Sequence, residues 1–303
     1  MRITNNMLTA NLLRNLSAAQ GRMDDLQNQL SSGHRIVRPS DDPVGIENAL
    51  RLKSTISKVD QWSKNASQAL AYMNTTSDVL GDMTSMLQRV RELAVQAANG
   101  TNNAASRQAI KDEVDQIAEQ LRVLANTQVG NKYIFAGTKT DTEPMPTIDP
   151  SSWAGNDQAV KVEVGNGLTI AISVNADTLF LHPVTSTQSG ASPSGLFDSL
   201  KTLSAALAND DTAGIAGSLA DIDGNIDNIL AHQADLGARI NRLDSLNSQL
   251  QNTSVNLQQN LADIQDADMA KTITDFTNQQ NVYRAALAVG AKIIQPSLVD
   301  FMS

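Results

Sequence analysis

The sequence predicts a mainly α protein: a long antiparallel helical rod, coiled-coil-like in its packing, that carries a small β-rich insertion domain. Three observations predict it. Apolar or small residues alternate at spacings of three and four over several long segments, the mark of a helical seam. The longest such segment runs from about residue 44 to 98 and would measure roughly 80 Å at 1.5 Å per residue, too long to stand alone in a compact domain. Between about residues 129 and 195 the helical period lapses, and the chain either alternates apolar with polar residues or is broken by prolines.

The first helix is set by Leu12, Leu16, Ala19, Met23, Leu26 and Leu30, spaced 4, 3, 4, 3, 4. It should close at Ser31-Ser32-Gly33, where Gly33 can take the left-handed conformation, and a short loop from His34 to Asp42 follows. Ser40-Asp41-Asp42-Pro43 restarts the helix: Asp42 is placed as the N-cap, accepting from orphan amides, and Pro43 suits the first helical position, which needs no amide hydrogen.

From there Ala49, Leu52, Ile56, Val59, Ser63, Ala66, Leu70, Met73, Ser77 and Leu80 hold the seam. One 3-3 slip intervenes before Met83, Leu87, Val90, Ala94 and Ala97. Asn99-Gly100-Thr101-Asn102 is a turn signal, and Ile110, Val114, Ile117, Leu121 and Leu124 resume the period to about Gln128. Two helices joined so tightly form an antiparallel pair.

At Val129-Gly130 the character changes. Tyr133-Ile134-Phe135 is a strand candidate, and Pro144, Pro146 and Pro150 exclude helix. Val160, Val162 and Val164 share one strand face, Gly165-Asn166-Gly167 turns the chain, and Leu168, Ile170, Ile172 and Val174 share the returning face. Thr185 to Gly195 has the composition of a linker, after which Leu196, Leu200, Leu203 and Leu207 restore helix.

The last long helix is the most regular. Its seam runs Leu219, Ile222, Ile226, Ile229, Gln233, Leu236, Ile240, Leu243, Asn247, Leu250, Ser254, Leu257, Leu261 and Ile264, and a polar Asn247 in such a seam fixes register at a cost in stability. Beyond Asp263, Asp266 and Asp268 a final seam, Met269, Ile273, Phe276, Gln280, Tyr283, Leu287 and Ile294, ends before Pro296.

The chemistry that composition excludes is extensive. The 303 residues carry a net charge of −9, no cysteine and only ten aromatics. There can be no disulfide, thiolate metal site or cysteine nucleophile, and three scattered histidines, His34, His182 and His232, supply no zinc set. An acidic chain without a basic, aromatic-rich stripe is not built for nucleic acid. With no run of 18 apolar residues and no cleavable leader pattern, neither a membrane span nor an ordinary secretory precursor is expected.

Asp41-Asp42 and the Asp263, Asp266, Asp268 group lack calcium-loop spacing and serve better as helix caps or solvated faces. His34, beside a helix-closing glycine, fits an exposed cap position better than a general base. No phosphate loop, GxSxG elbow or HExxH helix is present. No cofactor and no enzymatic activity are expected. The one place an enzyme could reside is the insertion from Trp153 to Phe180, with His182 unaccompanied by a nucleophile.

The inner seams are accounted for by the core of an antiparallel bundle. The terminal ones are short amphipathic helices with a two-per-heptad stripe and no domain of their own to bury it, so they should order on meeting partners. The candidate assembly residues are Leu12, Leu16, Met23, Leu26 and Leu30 at one end, and Met269, Ile273, Phe276, Leu287 and Ile294 at the other.

Two segments carry a family resemblance. Leu30-Ser31-Ser32-Gly33, Arg35-Ile36 and Ser40-Asp41-Asp42-Pro43-Val44-Gly45 resemble the N-terminal signature of the flagellin superfamily. Asp263 to Asp268 resembles its C-terminal one, and the likeness spans about 1–140 and 195–303. Asn126-Thr127 leading to Lys132-Tyr133-Ile134-Phe135-Ala136-Gly137-Thr138-Lys139-Thr140 and Pro144 is closer to the hook-filament junction branch of that superfamily than to filament-forming flagellins. So is the ending Ser297 to Ser303, which lacks a terminal leucine pair.

The resemblance implies a secreted, extracellular structural subunit of the bacterial flagellum, exported through the flagellar type III apparatus and standing between hook and filament. Its partners would be further copies in a ring, a hook-associated protein on the hook side, flagellin or a flagellin-proximal subunit on the filament side and an export chaperone, with no nucleic acid and no membrane. A short flagellin forming the filament itself is the alternative. A coiled-coil translocator of a related apparatus would share the long helices but not the paired signatures. The expected divisions are 1–42, an assembly helix and loop; 43–130, one half of the rod; 131–190, the insertion; 191–265, the other half; and 266–303, the C-terminal assembly helix.

Overall fold

The computed structural model describes residues 5–99, 103–181 and 195–294. The described elements, in order, are α1 (Asn5–Ser32), α2 (Pro43–Ala98), α3 (Ala104–Ala125), β1 (Gln128–Val129), β2 (Lys132–Tyr133), a 3-10 turn (Pro150–Ser152), β3 (Lys161–Gly165), β4 (Leu168–Ala171), α4 (Ala176–Phe180), α5 (Leu196–Ala208), α6 (Thr212–Gln265) and α7 (Met269–Ile294). The mainly α expectation, with long helices and a small β-rich part, is met. The linker from Thr185, His182 and the turn at 100–102 fall outside the described residues.

The chain forms two compact units: Met1–Lys58 with Asn252–Ser303, and Val59–Gln251. In the second, the register between α2 and α6 is written in polar seam residues. Ser63 Oγ donates to Asn247 Oδ1 at 2.9 Å, and Gln233 Nε2 reaches the carbonyl of Ser77 at 3.5 Å. Both pairs sum to the same residue total, so the helices run antiparallel in one constant register, and polar positions meet each other rather than leucine. The apolar remainder, including Met73, Leu80, Met83, Leu87, Ile222, Ile229, Leu236 and Leu243, is buried.

Helix α3 returns along α2. Arg89 binds Glu113 at 2.8 Å, and Arg107, only 5% exposed, donates to the carbonyl of Ala97 and pairs with Asp210 in the turn between α5 and α6. One buried guanidinium thus ties three segments at this end of the unit, a role that the sequence does not announce because Asp210 lies 103 residues away.

One helix end and one strand are corrected. Helix α3 stops at Ala125 rather than Gln128, because Gln128–Val129 pairs with Lys132–Tyr133 as a two-residue hairpin. Ile134 and Phe135 therefore leave the strand and drop into the core, fully buried. The second hairpin, β3 with β4, turns at Gly165 to Gly167 as expected, with a register shift after Glu163, and Ile172 donates to Val160 beyond the strands.

Short helix α4 is held on α6 by Asn228, whose Nδ2 donates to the Thr178 carbonyl at 2.8 Å, and by His232, whose Nε2 lies 3.3 Å from Thr178 Oγ1. Burial, partly opposed by Asp235, pushes the His232 imidazole below its ordinary pKa. The unfolded chain then binds more protons than the folded one between that lowered value and about 6.5, so stability is complete above about 6.5 and lost as pH falls. The thermal midpoint should drop between about pH 7.5 and 5.5, and His232→Gln should flatten the slope; an unchanged slope in that variant would remove His232 as its source.

Candidate assembly site

In the unit formed by both chain ends, α1 and α7 lie antiparallel. The contacts run Leu12 with Gly290, the carbonyl of Ala19 with Gln279 Nε2 at 3.1 Å, and the carbonyl of Gly33 with the amide of Ala267 at 2.9 Å. On α1 the predicted stripe faces inward: Leu12, Leu16, Met23, Leu26 and Leu30 are half-buried, and Ala19 is buried.

On α7 the inward face is displaced from the predicted one. Thr272, Phe276, Gln279, Tyr283, Ala286 and Gly290, again spaced 4, 3, 4, 3, 4, are the buried or half-buried positions. Phe276 and Tyr283 are shared by both sets and Gln280 of the predicted seam is half-buried, whereas Met269, Ile273 and Leu287 stand 42%, 52% and 46% exposed, and the side chain of Ile294 lies outside the described residues.

The reason is size. A Cβ on Gly290 would come within 2.8 Å of Leu12 Cδ2, so α7 packs on Leu12 where it has no side chain, and counting large apolar residues selects the flank beside the one that pairs with α1. Filling that gap should be costly. Gly290→Val should destabilise the α1–α7 pair by about 1–3 kcal/mol, read as faster amide exchange over both helices, and adding Leu12→Ala should restore most of the loss. Full additivity of the two substitutions would mean that they do not touch.

The two signature segments meet in one joint. Gly33, at φ +74°, closes α1. The amide of Arg35 then donates to the carbonyl of Gln265 at 2.7 Å, and His34 Nδ1 lies 2.8 Å from Asp266 Oδ1. Arg35 Nη2 donates to the carbonyl of Ile264 at 2.9 Å, satisfying an orphan acceptor in the last turn of α6 from the opposite end of the chain.

Within the loop, Asp41 Oδ2 accepts from the amides of Arg38 and Val37 at 2.7 and 3.1 Å, which hold its carboxyl below the usual range. Ser40 donates weakly to the same carboxylate. Asp42 caps α2 through the Gly45 amide at 2.9 Å, with Pro43 at the first helical position, and Asp268 caps α7 through the Lys271 amide at 3.1 Å. Asp41, Asp42 and Asp268 are thus caps and loop staples, and Asp266 pairs with His34. Among the described residues no group of three or more His, Cys, Asp or Glu stands together as a metal set, and no helix is long and apolar enough to cross a membrane.

The segment from Asn126 to Thr140, in the other unit, is a turn locked from several sides. Tyr133 donates through its amide to the Thr140 carbonyl, and Ile134 to that of Thr127. The Tyr72 hydroxyl donates to the Ile134 carbonyl at 2.9 Å, and burial pushes that phenol up to about 12. Phe135 packs edge-on to Phe180 at 5.3 Å, and Phe180 lies 5.7 Å from Phe197. Gly137, at φ +63°, lies against the backbone and side chain of Asn156, whose side chain grips Thr138 through Oδ1 and Nδ2 at 2.8 and 2.7 Å. Asn126 serves as a second clamp, donating to Glu143 and to the Met145 carbonyl and accepting the Met145 amide.

A family model described as the bacterial flagellin N-terminal helical region matches residues 3–140, and one described as the C-terminal helical region matches residues 219–302. The chain belongs to the bacterial flagellin family. Among members of the flagellin family, it is 28% identical over 301 residues to flagellar hook-associated protein 3 of Escherichia coli K12, covering 94% of this chain and 95% of that one. It is 30% identical over 270 residues to flagellin FlaB1 of Treponema pallidum, covering 87% and 86%. A solved structure of a putative flagellar hook-associated protein from Vibrio parahaemolyticus shares the flagellin-family fold at a TM-score of 0.65 and 22% identity, over 75% of this chain and 100% of that one. The joint and the α1–α7 pair fall within the matched regions, so the paired ends are the part of the chain that the family models describe.

Proposed function

We propose that this protein is a structural subunit of the bacterial flagellum that joins hook to filament and has no catalytic role. The observation that carries assembly is the paired ends: α1 and α7 bury one seam against each other and still expose Leu13, Ile273, Val282, Leu287 and Val289. Apolar area of this kind gains about 25 cal/mol per Å² when a neighbour covers it. A junction position is favoured over the filament by the Lys132 to Thr140 segment, and the similarity to a hook-associated protein supports it.

On this reading the subunit is exported through the type III apparatus, aided by a chaperone, without thiols to crosslink on leaving a reducing cytoplasm. It closes into a ring of copies, with a second hook-associated protein on the hook side and flagellin or a flagellin-proximal subunit on the filament side. The site holds no cofactor, and neither nucleic acid nor membrane takes part. The short-flagellin alternative draws on the 30% identity to FlaB1. Adding purified protein to isolated hook ends separates the two: a junction subunit forms a layer that stops and then accepts flagellin, whereas long filaments of the protein alone would establish the alternative.

A further inference from the structure

The net charge of the chain is not shared between its two units. Val59–Gln251 holds 12 Lys and Arg against 22 Asp and Glu, a net charge of −10, whereas the unit made of both chain ends holds 11 against 10, a net charge of +1. All of the protein's net acidity therefore belongs to the inner unit. Among its described residues Arg107 is the only buried charged side chain, so this charge is carried at the surface.

When identical copies come side by side, their terminal units meet with almost no net electrostatic cost. Their inner units repel with a product of charges roughly a hundred times that of one ion pair. That repulsion reaches far at low ionic strength, where the screening length is about 30 Å at 0.01 M, and is cut to about 8 Å at 0.15 M. The terminal units offer no opposing field, since their 11 cationic and 10 anionic residues nearly cancel.

We propose that the inner unit is an electrostatic gate on assembly whose docking partner is a second copy of this chain: self-repulsion holds copies apart in dilute salt, and screening lets their apolar ends engage. The inference rests on the reading that copies pack through those ends. It assigns assembly an ionic-strength threshold set by residues outside the packing surface.

The test is binding of the full-length chain to isolated hook ends, with sedimentation of the free chain alongside. Apparent affinity should rise at least about tenfold between roughly 10 and 150 mM NaCl. Neutralising four exposed carboxylates, Asp82→Asn, Asp141→Asn, Asp227→Asn and Asp244→Asn, should move the half-assembly point to lower salt, whereas Asp→Glu at the same positions should leave it in place. Curves in MgCl2 and NaCl should superimpose at equal ionic strength.

Affinity that is flat or falls with salt would overturn the gate in favour of ion pairs between copies. So would Mg2+ acting far below the matched ionic strength, which marks bridging rather than screening. Failure of the assembly reading looks different: a chain lacking residues 270–303 would then bind hook ends as well as the intact one.

Discussion

Gly137→Ala should lower the stability of the Val59–Gln251 unit by about 2–5 kcal/mol, the sum of a left-handed conformation forced on a side chain and a Cβ driven into backbone. The φ of +63° is set by hydrogen bonds on both sides of the turn, and the Cβ would meet the carbonyl and side-chain oxygens of Asn156. Asn156 cannot retreat without releasing Thr138, whose amide and hydroxyl it holds, and its own amide is bound to the Ala136 carbonyl. Urea unfolding measures the loss. Asn156→Gly removes only the side-chain part of the clash, so in that background alanine at 137 should still be costly. A Gly137→Ala change within about 0.5 kcal/mol of neutral would show that the turn is not locked.

The second large effect is on assembly. Removing residues 1–30 or 270–303 should abolish incorporation into the flagellum while leaving a folded, soluble remainder. Each truncation deletes one partner of the α1–α7 seam and strips the other of its cover. The principal core is untouched, because all of its buried members, from Ala66 to Leu243, belong to the other unit. Circular dichroism should therefore show a cooperative melt near that of the intact chain. Complete unfolding of the truncated protein would mean that the ends hold up the core rather than wait for neighbours.

The contrast between α1 and α7 shows how far such a sequence can be read. The α1 stripe was legible residue by residue, because large aliphatic side chains do the packing there. On α7 the same rule finds Phe276 and Tyr283 but passes over Gly290, which packs against Leu12, since an absent side chain leaves no apolar mark. Asp42 and Pro43 announced the start of α2 correctly because capping is local chemistry.

Long-range contacts were not legible. Nothing in Gly33 to Asp42 says that its amides bind Gln265, or that Arg35 satisfies a carbonyl of α6. The Tyr133 to Phe135 strand failed similarly: its alternation is real, but Ile134 and Phe135 are claimed by a core that includes Phe180 and Phe197. The polar seam positions were the exception. Asn247 was recognisable as a register device, and its partner Ser63 could have been found by matching polar breaks on the two long helices in antiparallel order.

Amide exchange on the free monomer would show whether α1 and α7 are protected before assembly. The junction role itself is tested most directly by deleting the gene in the source bacterium and following its filaments. The predicted result is hooks that carry no filament and flagellin shed into the medium, restored by the full-length chain but not by one with Ile273→Asn and Leu287→Asn. Filaments retained at ordinary length on cells lacking the protein would contradict a place between hook and filament.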